Sequence, residues 1–480
     1  MPHVSRILVR CALLFGLGWS LSTGWAAQPA RPEPKAPAAD WKVGVATRKL
    51  TPAGPIWMAG YANRAKPSDG VDLDVFAKAV AIEDAQGGRV VIVTLDLVGV
   101  PDGLRAYVER HAAEKFGLKP HEILLNASHT HSAPQPYPDR MVLERLFSRM
   151  AKQEDVDAVN AFEIFLQKAL VELIGESRAA QTPCRMEFSQ ARAGFAMNRR
   201  RPDGKGNYSN NPYPAGPVDQ EVPVLKVTTA DGKIKALLFG YACHNTTLGG
   251  TKISGDYAGY AQQFLETSYP GATALFVMGC GADQNPYPRR GMVPDQSVDE
   301  LVKQHGRALS NAVSTALNSP LRPIKGPLRS AYDHAILEYE PLSKVQLNNF
   351  QGAAHTPAVI ERARNLIQAL DRGERPKPLP CPVQVVKFGN DLTLVAIGGE
   401  VTVDYSLRLK RELKGPAAVW VAGYSNSVFG YLGSRRVIEE GGYEGGGANI
   451  RILNHPGPFK PETEDVVIAK VHGLLRQVQR

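Results

Sequence analysis

Beyond residue 25 the sequence holds no apolar run long enough to cross a bilayer, so nothing after its first residues reads as a membrane span. Cysteine is scarce: five in 480 residues. One of them, Cys11, sits near the start. The other four, Cys184, Cys243, Cys280 and Cys381, show no CxxC spacing. That argues against thiolate metal ligation and against a disulfide-dense scaffold. Free, buried thiols are the expectation, with one disulfide left open in an oxidising compartment. Basic blocks are absent too. The formal charge is +9, yet the basic residues are scattered through short groups such as residues 199–201, 289–290 and 435–436. A nucleic-acid stripe is denser and interleaved with aromatics, so no nucleic-acid partner is expected. Peripheral adhesion to an anionic membrane surface stays open. No internal repeat is present.

What remains is a globular composition, 43% apolar and 21% charged, long enough for one large or two ordinary domains. Residues 1–27 read as a signal peptide. Arg6 and Arg10 form the charged front, residues 11–25 the apolar centre, and residues 23–27 a small-residue exit. Without Arg6 and Arg10 the charge of +9 becomes +7. Cys11 opens the apolar centre and is not in a lipobox position; a retained anchor is the alternative. Residues 28–40 form a Pro/Ala linker without core-forming residues. Residues 41–480 then make up the folded domain, and the expected location is secreted or periplasmic.

Apolar periodicity predicts an α/β fold, mixed α+β, with helices packed on a large mixed sheet. Strands are expected at 41–46, 90–97, 123–125, 185–188, 272–278, 329–340 and 417–423. Hairpins are expected at 222–229 with 234–241, and at 383–388 with 392–397. Helices are expected at 102–116, 258–268, 297–318, 357–371, 404–414 and 464–476. Residues 141–180 read as helix in two pieces, the second at 156–176. Strand 90–97, helix 102–116 and the strand after it make a β-α-β unit, parallel and right-handed in its simplest form. Asp256 is a candidate cap for the helix that follows it. The segment 52–64 either lines a pocket or covers the core. The segment 197–220 reads as an ordered loop over a site.

Three of these strands end in polar residues. The stretch LLNASHTHSAP, residues 124–134, carries His129 and His131 at the exit of one. His244 follows another, and Glu400 closes a third. Imidazole nitrogen and carboxylate oxygen suit zinc, and a catalytic zinc keeps a position open for water. Asp96, with Gly60 and Asn63, serves either metal and substrate or only backbone N–H groups.

Several blocks resemble the catalytic region of the neutral/alkaline non-lysosomal ceramidases. They are ASHTHSAP (127–134), CHNTT (243–247), SGDYAGY (254–260), GADQNP (281–286) and YEG (443–445), with MAGYA (58–62) and the loop at Asn198. The resemblance implies hydrolysis of the amide of N-acylsphingosine with one zinc ion. It implies His129, His244, Glu400 and Tyr443 as metal ligands. It implies His131, Tyr443 and Asp283 as catalytic groups, with Asp283 also a candidate for a second divalent cation or a turn cap. Tyr431 is the competing tyrosine. Two departures stand out. Gln284 falls where the family has its serine, so a metal-activated water is the expected nucleophile. The chain also stops about where the family's immunoglobulin-like C-terminal domain would start, so no separate domain of that kind is expected.

Other readings stay beside this one. The same metal site could act on an ester, lactone or glycosidic bond, or the fold could bind lipid or sugar without catalysis. The expected partner is a small-molecule amide, lipid or glycan substrate. Arg199, Arg200 and Arg201 are expected on a solvated loop, the alternative being contact with an anionic head group or carboxylate. Asn198, Asn207, Asn210 and Asn211 either bind a polar substrate or form turns. Cys243 faces away from His244 on a strand and is not expected to be a nucleophile. His305 is expected to be a packed or surface residue.

Overall fold

The computed structural model describes residues 40–139, 151–351, 357–451 and 455–479. The expected signal peptide, nearly all of the linker and most of the first piece of helix 141–180 lie outside the described residues. The larger sheet has nine strands. Eight run side by side in the order Thr273–Met278, Ile234–Tyr241, Glu221–Thr229, Thr182–Arg192, Trp41–Lys49, Phe76–Asp84, Arg89–Leu95, Ile123–Ala127, and Arg322–Pro323 pairs with Thr182–Arg192. Only the two outermost pairs of that order are parallel; the rest are antiparallel.

Side-chain alternation explains the layers. In Arg89–Leu95, Val91, Val93 and Leu95 enter one core with Leu104 and Val108 of helix Asp102–Phe116 and Phe162 and Leu166 of helix Gln153–Ala179. Val90 and Ile92 point the other way. With Leu124 they meet Val386, Leu394 and Trp420, which belong to a second sheet. That sheet has the order Leu328–Leu337, Leu379–Phe388, Leu392–Ile397, Ala418–Ala422. Helices Asp256–Ser268 and Val298–Leu317 cover the other end of the large sheet over Phe239 and Phe276. Helix Thr463–Gln479 covers the small sheet with Val467, Val471 and Leu474. The result is four layers: helices, large sheet, small sheet, helices. Each fully buried Val, Leu or Phe contributes about 1.5–3 kcal/mol to holding them.

The mixed α/β architecture matches the sequence expectation, and most elements fall within a few residues of it. One long strand was not visible in the sequence. Phe76–Asp84, reading FAKAVAIED, lies between Trp41–Lys49 and Arg89–Leu95. Its alanines and central Lys78 give neither β-branched density nor alternation. Lys78 is nonetheless 4% exposed, its ammonium donating to Glu266 at 2.7 Å and to the Ala274 carbonyl at 2.9 Å. The segment 197–220 is ordered by three short strands, Ala196–Asn198, Arg200–Pro202 and Tyr208–Asn210. The four cysteines in the described residues are free and buried.

Asp256 does not cap its own helix in the expected way. It adopts φ 52°. Its carboxylate accepts from the N–H groups of Thr247, Leu248 and Tyr257, which fixes the loop after His244.

Candidate metal centre

Three strand ends converge. His129 lies just past Ile123–Ala127, His244 just past Ile234–Tyr241, and Glu400 just past Leu392–Ile397 of the second sheet. Asn126 ties the first of them to the strands that neighbour the other two. Its Oδ1 accepts from the Met278 N–H at 2.8 Å, and its Nδ2 donates to the Gly423 carbonyl at 2.8 Å and to Ser425 Oγ at 3.1 Å. The Asn245 amide donates to the Ser128 carbonyl at 2.7 Å, joining the two histidine turns. The His131 N–H in turn donates to the Asn245 carbonyl at 3.2 Å. His129 sits at φ 60°, a strained conformation for a side-chain-bearing residue and one that concentrates at functional sites.

The imidazoles are oriented from behind. His129 Nδ1 lies 2.6 Å from the Val98 carbonyl oxygen, and His244 Nδ1 lies 2.7 Å from that of Gly281. A carbonyl accepts only, so each Nδ1 carries the proton and each Nε2 presents a lone pair. Those lone pairs face a carboxylate. His129 Nε2 is 3.1 Å and His244 Nε2 is 3.4 Å from the same Glu400 oxygen, Oε2. His131 Nε2 joins at 3.1 Å from His129 Nε2. The His244 Nε2 and Glu400 Oε2 atoms are buried without a hydrogen-bond partner. Three electron-rich atoms this close repel unless a cation lies among them. Bonds of 2.0–2.1 Å at tetrahedral angles, as zinc makes, separate neighbouring ligand atoms by about 3.3 Å. The observed spacings fit, and carbonyl-anchored histidines are the usual support of a metal ligand.

The charge environment agrees. Burial pushes His244 down to about 4 and His131 well below the ordinary histidine value, so both stay neutral near pH 7. Burial alone would raise the Glu400 carboxyl, but the neighbouring His129 and His244 imidazoles outweigh it and hold it well below the usual range. Glu400 is therefore a carboxylate.

His131 comes closer than expected: its ring nitrogen belongs to the same cluster as those of His129 and His244, a third imidazole positioned to hold a cation. Gly60 makes room for it. At φ 99°, a Cβ there would lie 2.4 Å from His131 Cγ. The 52–64 loop thus lines the centre as well as covering the core.

Tyr443 stands at the rim, 41% exposed, its ring 5.3 Å from that of Tyr431. No hydrogen bond joins it to the histidines among the described residues. Tyr431 is buried, pairs beside Glu400, and accepts from Arg199 at 3.0 Å. A third tyrosine, Tyr424, was not singled out from the sequence. Its ring packs 4.5 Å from His129 and its hydroxyl is buried without a partner. Only its φ of 51° marks it, and a sequence does not show that.

Asp283 is set apart from the cluster. Its Oδ1 accepts from the Val403 N–H at 2.9 Å, and its Oδ2 from Asn198 Nδ2 at 3.2 Å. Both oxygens are taken by N–H donors, so the expected roles as base or second-cation ligand give way to that of a brace at the start of helix Val403–Glu412. Burial raises its carboxyl to about 7. Gln284 is a second brace. Its side chain accepts from the Asp219 N–H at 2.9 Å and donates to the Ala242 and Cys280 carbonyls at 2.7 and 3.2 Å.

The solvated-loop expectation for residues 199–201 is overturned for two of the three. Arg199 and Arg200 are 4% and 2% exposed and bind the two oxygens of Glu444 at 2.7 and 2.8 Å, which is the carboxylate alternative. Arg201 is exposed. Asn198 is buried and structural, while Asn210 and Asn211 are exposed. Asp96 resolves to the structural reading, accepting from the Phe76 N–H and the Gln262 amide. His305 is packed, stacked on Phe195 at 4.9 Å. Burial pushes the Cys243 thiol well up, which disables it as a nucleophile.

A family model described as "Neutral/alkaline non-lysosomal ceramidase, N-terminal" matches residues 41–312. The neutral ceramidase of Pseudomonas aeruginosa is 23% identical over 461 residues, 82% of this chain and 67% of that protein. Neutral ceramidase A of Dictyostelium discoideum is 26% identical over 247 residues, 49% of this chain and 33% of that protein. The Drosophila melanogaster neutral ceramidase is 23% identical over 237 residues, again 33% of its length. The chain thus spans about a third of the length of several curated relatives it matches. The crystal structure of the Pseudomonas aeruginosa neutral ceramidase shares the fold, with a TM-score of 0.69 at 20% identity over 92% of this chain and 75% of that one.

Proposed function

Because the chain belongs to the neutral/alkaline non-lysosomal ceramidase family, we propose that it is a zinc-dependent hydrolase of an N-acyl amide bond, ceramide-like lipids being the reference substrate class. The observation that carries this reading is the meeting of two carbonyl-anchored imidazoles and an ionised carboxylate at 3.1 and 3.4 Å, with His244 Nε2 and Glu400 Oε2 otherwise unpartnered. His129, His244 and Glu400 would hold the ion, with His131 beside them. When bound, zinc supplies a water of pKa near 7 and a Lewis acid for the amide carbonyl. His131, kept neutral by burial, accepts a proton and returns one to the leaving amine. Tyr443, at the rim, donates a hydrogen bond to the developing oxyanion. Arg199 supports that wall by donating to Tyr431. Nucleophilic serine chemistry is not needed, and Gln284 is already committed to its three backbone partners. A location outside the cytoplasm, by way of residues 1–27, belongs to the same proposal.

The test is the metal content of the purified chain, with His129→Ala beside it. About one zinc per chain is expected, lost in the variant together with hydrolysis of N-acyl amides. A folded wild type that takes up no zinc when offered it refutes the hydrolase and favours a non-catalytic binding protein.

A further inference from the structure

Several arginines on this molecule are neutralised by carboxylates. Arg199, Arg200, Arg408, Arg435 and Arg436 all have carboxylate partners. Three arginines beside the metal centre do not: Arg64, Arg289 and Arg290 have no carboxylate within 4.0 Å among the described residues. Two of them flank Tyr61, whose ring lies edge-on to His131 at 4.8 Å. The Arg64 and Arg290 guanidinium carbons lie 5.0 and 5.2 Å from the Tyr61 ring centre.

Arg64 is only 5% exposed and spends its donors on carbonyls, that of His131 at 2.6 Å and that of Gly250 at 3.0 Å. Arg290 donates to the Leu248 carbonyl at 2.6 Å and to the Tyr61 hydroxyl at 3.3 Å. A Cβ at Gly249 would lie 2.1 Å from Arg290 Nη1, so the chain concedes space to that guanidinium. Arg289 donates one nitrogen to the Asn210 carbonyl at 3.0 Å, while its Nη2 is buried with no partner. Asp256 is close enough for its charge to act on Tyr61, but its oxygens are taken by three backbone N–H groups. Arg289 feels the charge of Arg199, and Arg199 acts on His131 and His244. Arg64, Arg290 and its chain neighbour Arg289 therefore form an arc of charge about Tyr61, whose ring lies against His131.

Burying a cation without counter-charge, as at Arg64, is unfavourable, and the buried Arg289 N–H without an acceptor adds to the cost, while Arg290 is exposed beside them. A neutral N-acyl sphingoid base returns nothing to such an arc; an anion would. Resting on the hydrolase reading and narrowing it, we infer that the preferred substrate carries a carboxylate or similar oxyanion near the scissile amide, and that Arg289 and Arg290, backed by Arg64, select it.

The test separates binding from turnover by using ethers that cannot be hydrolysed. Octyloxyacetate and 2-octyloxyethanol are titrated calorimetrically into the zinc-loaded protein. The acid is expected to bind about 10–100-fold more tightly, the span of one or two charge-assisted hydrogen bonds. Zinc attracts carboxylates by itself, so the deciding readout is the arginine variants. Arg289→Gln combined with Arg290→Gln is expected to cut the preference at least about fivefold, while Arg289→Lys keeps most of it. Lys233→Gln, on a distant hairpin turn, keeps all of it. A wild type without preference, or a preference that survives in the double variant, overturns the inference. So does binding to phosphatidylglycerol vesicles without preference for the soluble acid, which would make the arc a membrane contact. N-octanoylglycine and N-octanoylethanolamine are then assayed for hydrolysis. If neither is cleaved while the binding preference stands, the hydrolase reading fails and the anion site remains.

Discussion

Replacing Asn126 by alanine tests whether the centre is held by its buried braces. Asn126 is fully buried and makes its short bonds to Met278 N–H, the Gly423 carbonyl and Ser425 Oγ at 2.8, 2.8 and 3.1 Å. Truncation leaves the Met278 donor and the Gly423 acceptor without that partner in a dry interior. Each such orphan costs about 1–3 kcal/mol, so a loss of about 3–5 kcal/mol is expected. With an unfolding entropy of about 2.1 cal/mol/K per residue, a unit of this size shifts by about 1 °C per kcal/mol, giving a Tm lower by about 3–5 °C. The strand end that carries His129 also loses its link to the strands beside those of His244 and Glu400, so zinc affinity should fall about 10–100-fold, as when a metal's supporting shell is removed. Urea unfolding of the metal-free protein gives the first number, and competition with a chromogenic chelator gives the second. Leu237→Ala, in the core away from these bonds, is the control: about 2–5 kcal/mol lost, zinc affinity kept. If Asn126→Ala loses less than about 1 kcal/mol and binds zinc like the wild type, the pinning argument is wrong.

Three further outcomes follow from the same geometry. Gly60→Ala combines φ 99° with a Cβ 2.4 Å from His131; it should displace that ring and lower kcat at least about tenfold, measured at saturating amide. Gln284→Ser, which restores the family's residue type, removes three buried hydrogen bonds and should cost about 2–4 kcal/mol in denaturant without creating ceramide hydrolysis. Asp283→Asn tests a pH dependence. With the folded carboxyl raised to about 7 against an ordinary value of 3.8, its contribution is fully present below pH 3.8 and lost as pH rises through 7. The variant should therefore gain stability over wild type as pH goes from 5 to 8, by up to about 3 kcal/mol, and keep its activity. An activity loss above a hundredfold in a stable Asp283→Asn protein would return Asp283 to the chemistry.

Much of this site was legible because its donors sit at the ends of dense apolar strands. Ile123–Ala127 and Leu392–Ile397 declare themselves, and the polar residues after them, His129, His131 and Glu400, are conspicuous for that reason. Pairing was harder to read. The strand Phe76–Asp84 hides because Lys78 is neutralised by Glu266, far away in sequence, so its burial leaves no local trace. Arg199 and Arg200 misled for the same reason: a charged triplet reads as solvated until Glu444 is found beside it. Asp283 and Gln284 sat in a motif with a catalytic history, and only their hydrogen bonds reveal structural work. Tyr424 and Asn126 act through backbone conformation and three-dimensional proximity, neither of which has a compositional signature.

The division of the centre between two sheets bears on how much chain is needed to make it. His129, His131 and His244 all lie within residues 41–312, the part the family model matches. Glu400, its neighbour Tyr431 and the sheet that seals the far side of the core all lie beyond it. A fragment trimmed to the matched region would keep three imidazoles around a gap. It would lack the one negative charge and expose the apolar face of Val90, Ile92 and Leu124. Such a fragment is half of a clasp. During synthesis, the candidate metal-binding set is incomplete until the last sixth of the chain begins, so ion capture on the proposed reading is a late event in the protein's maturation.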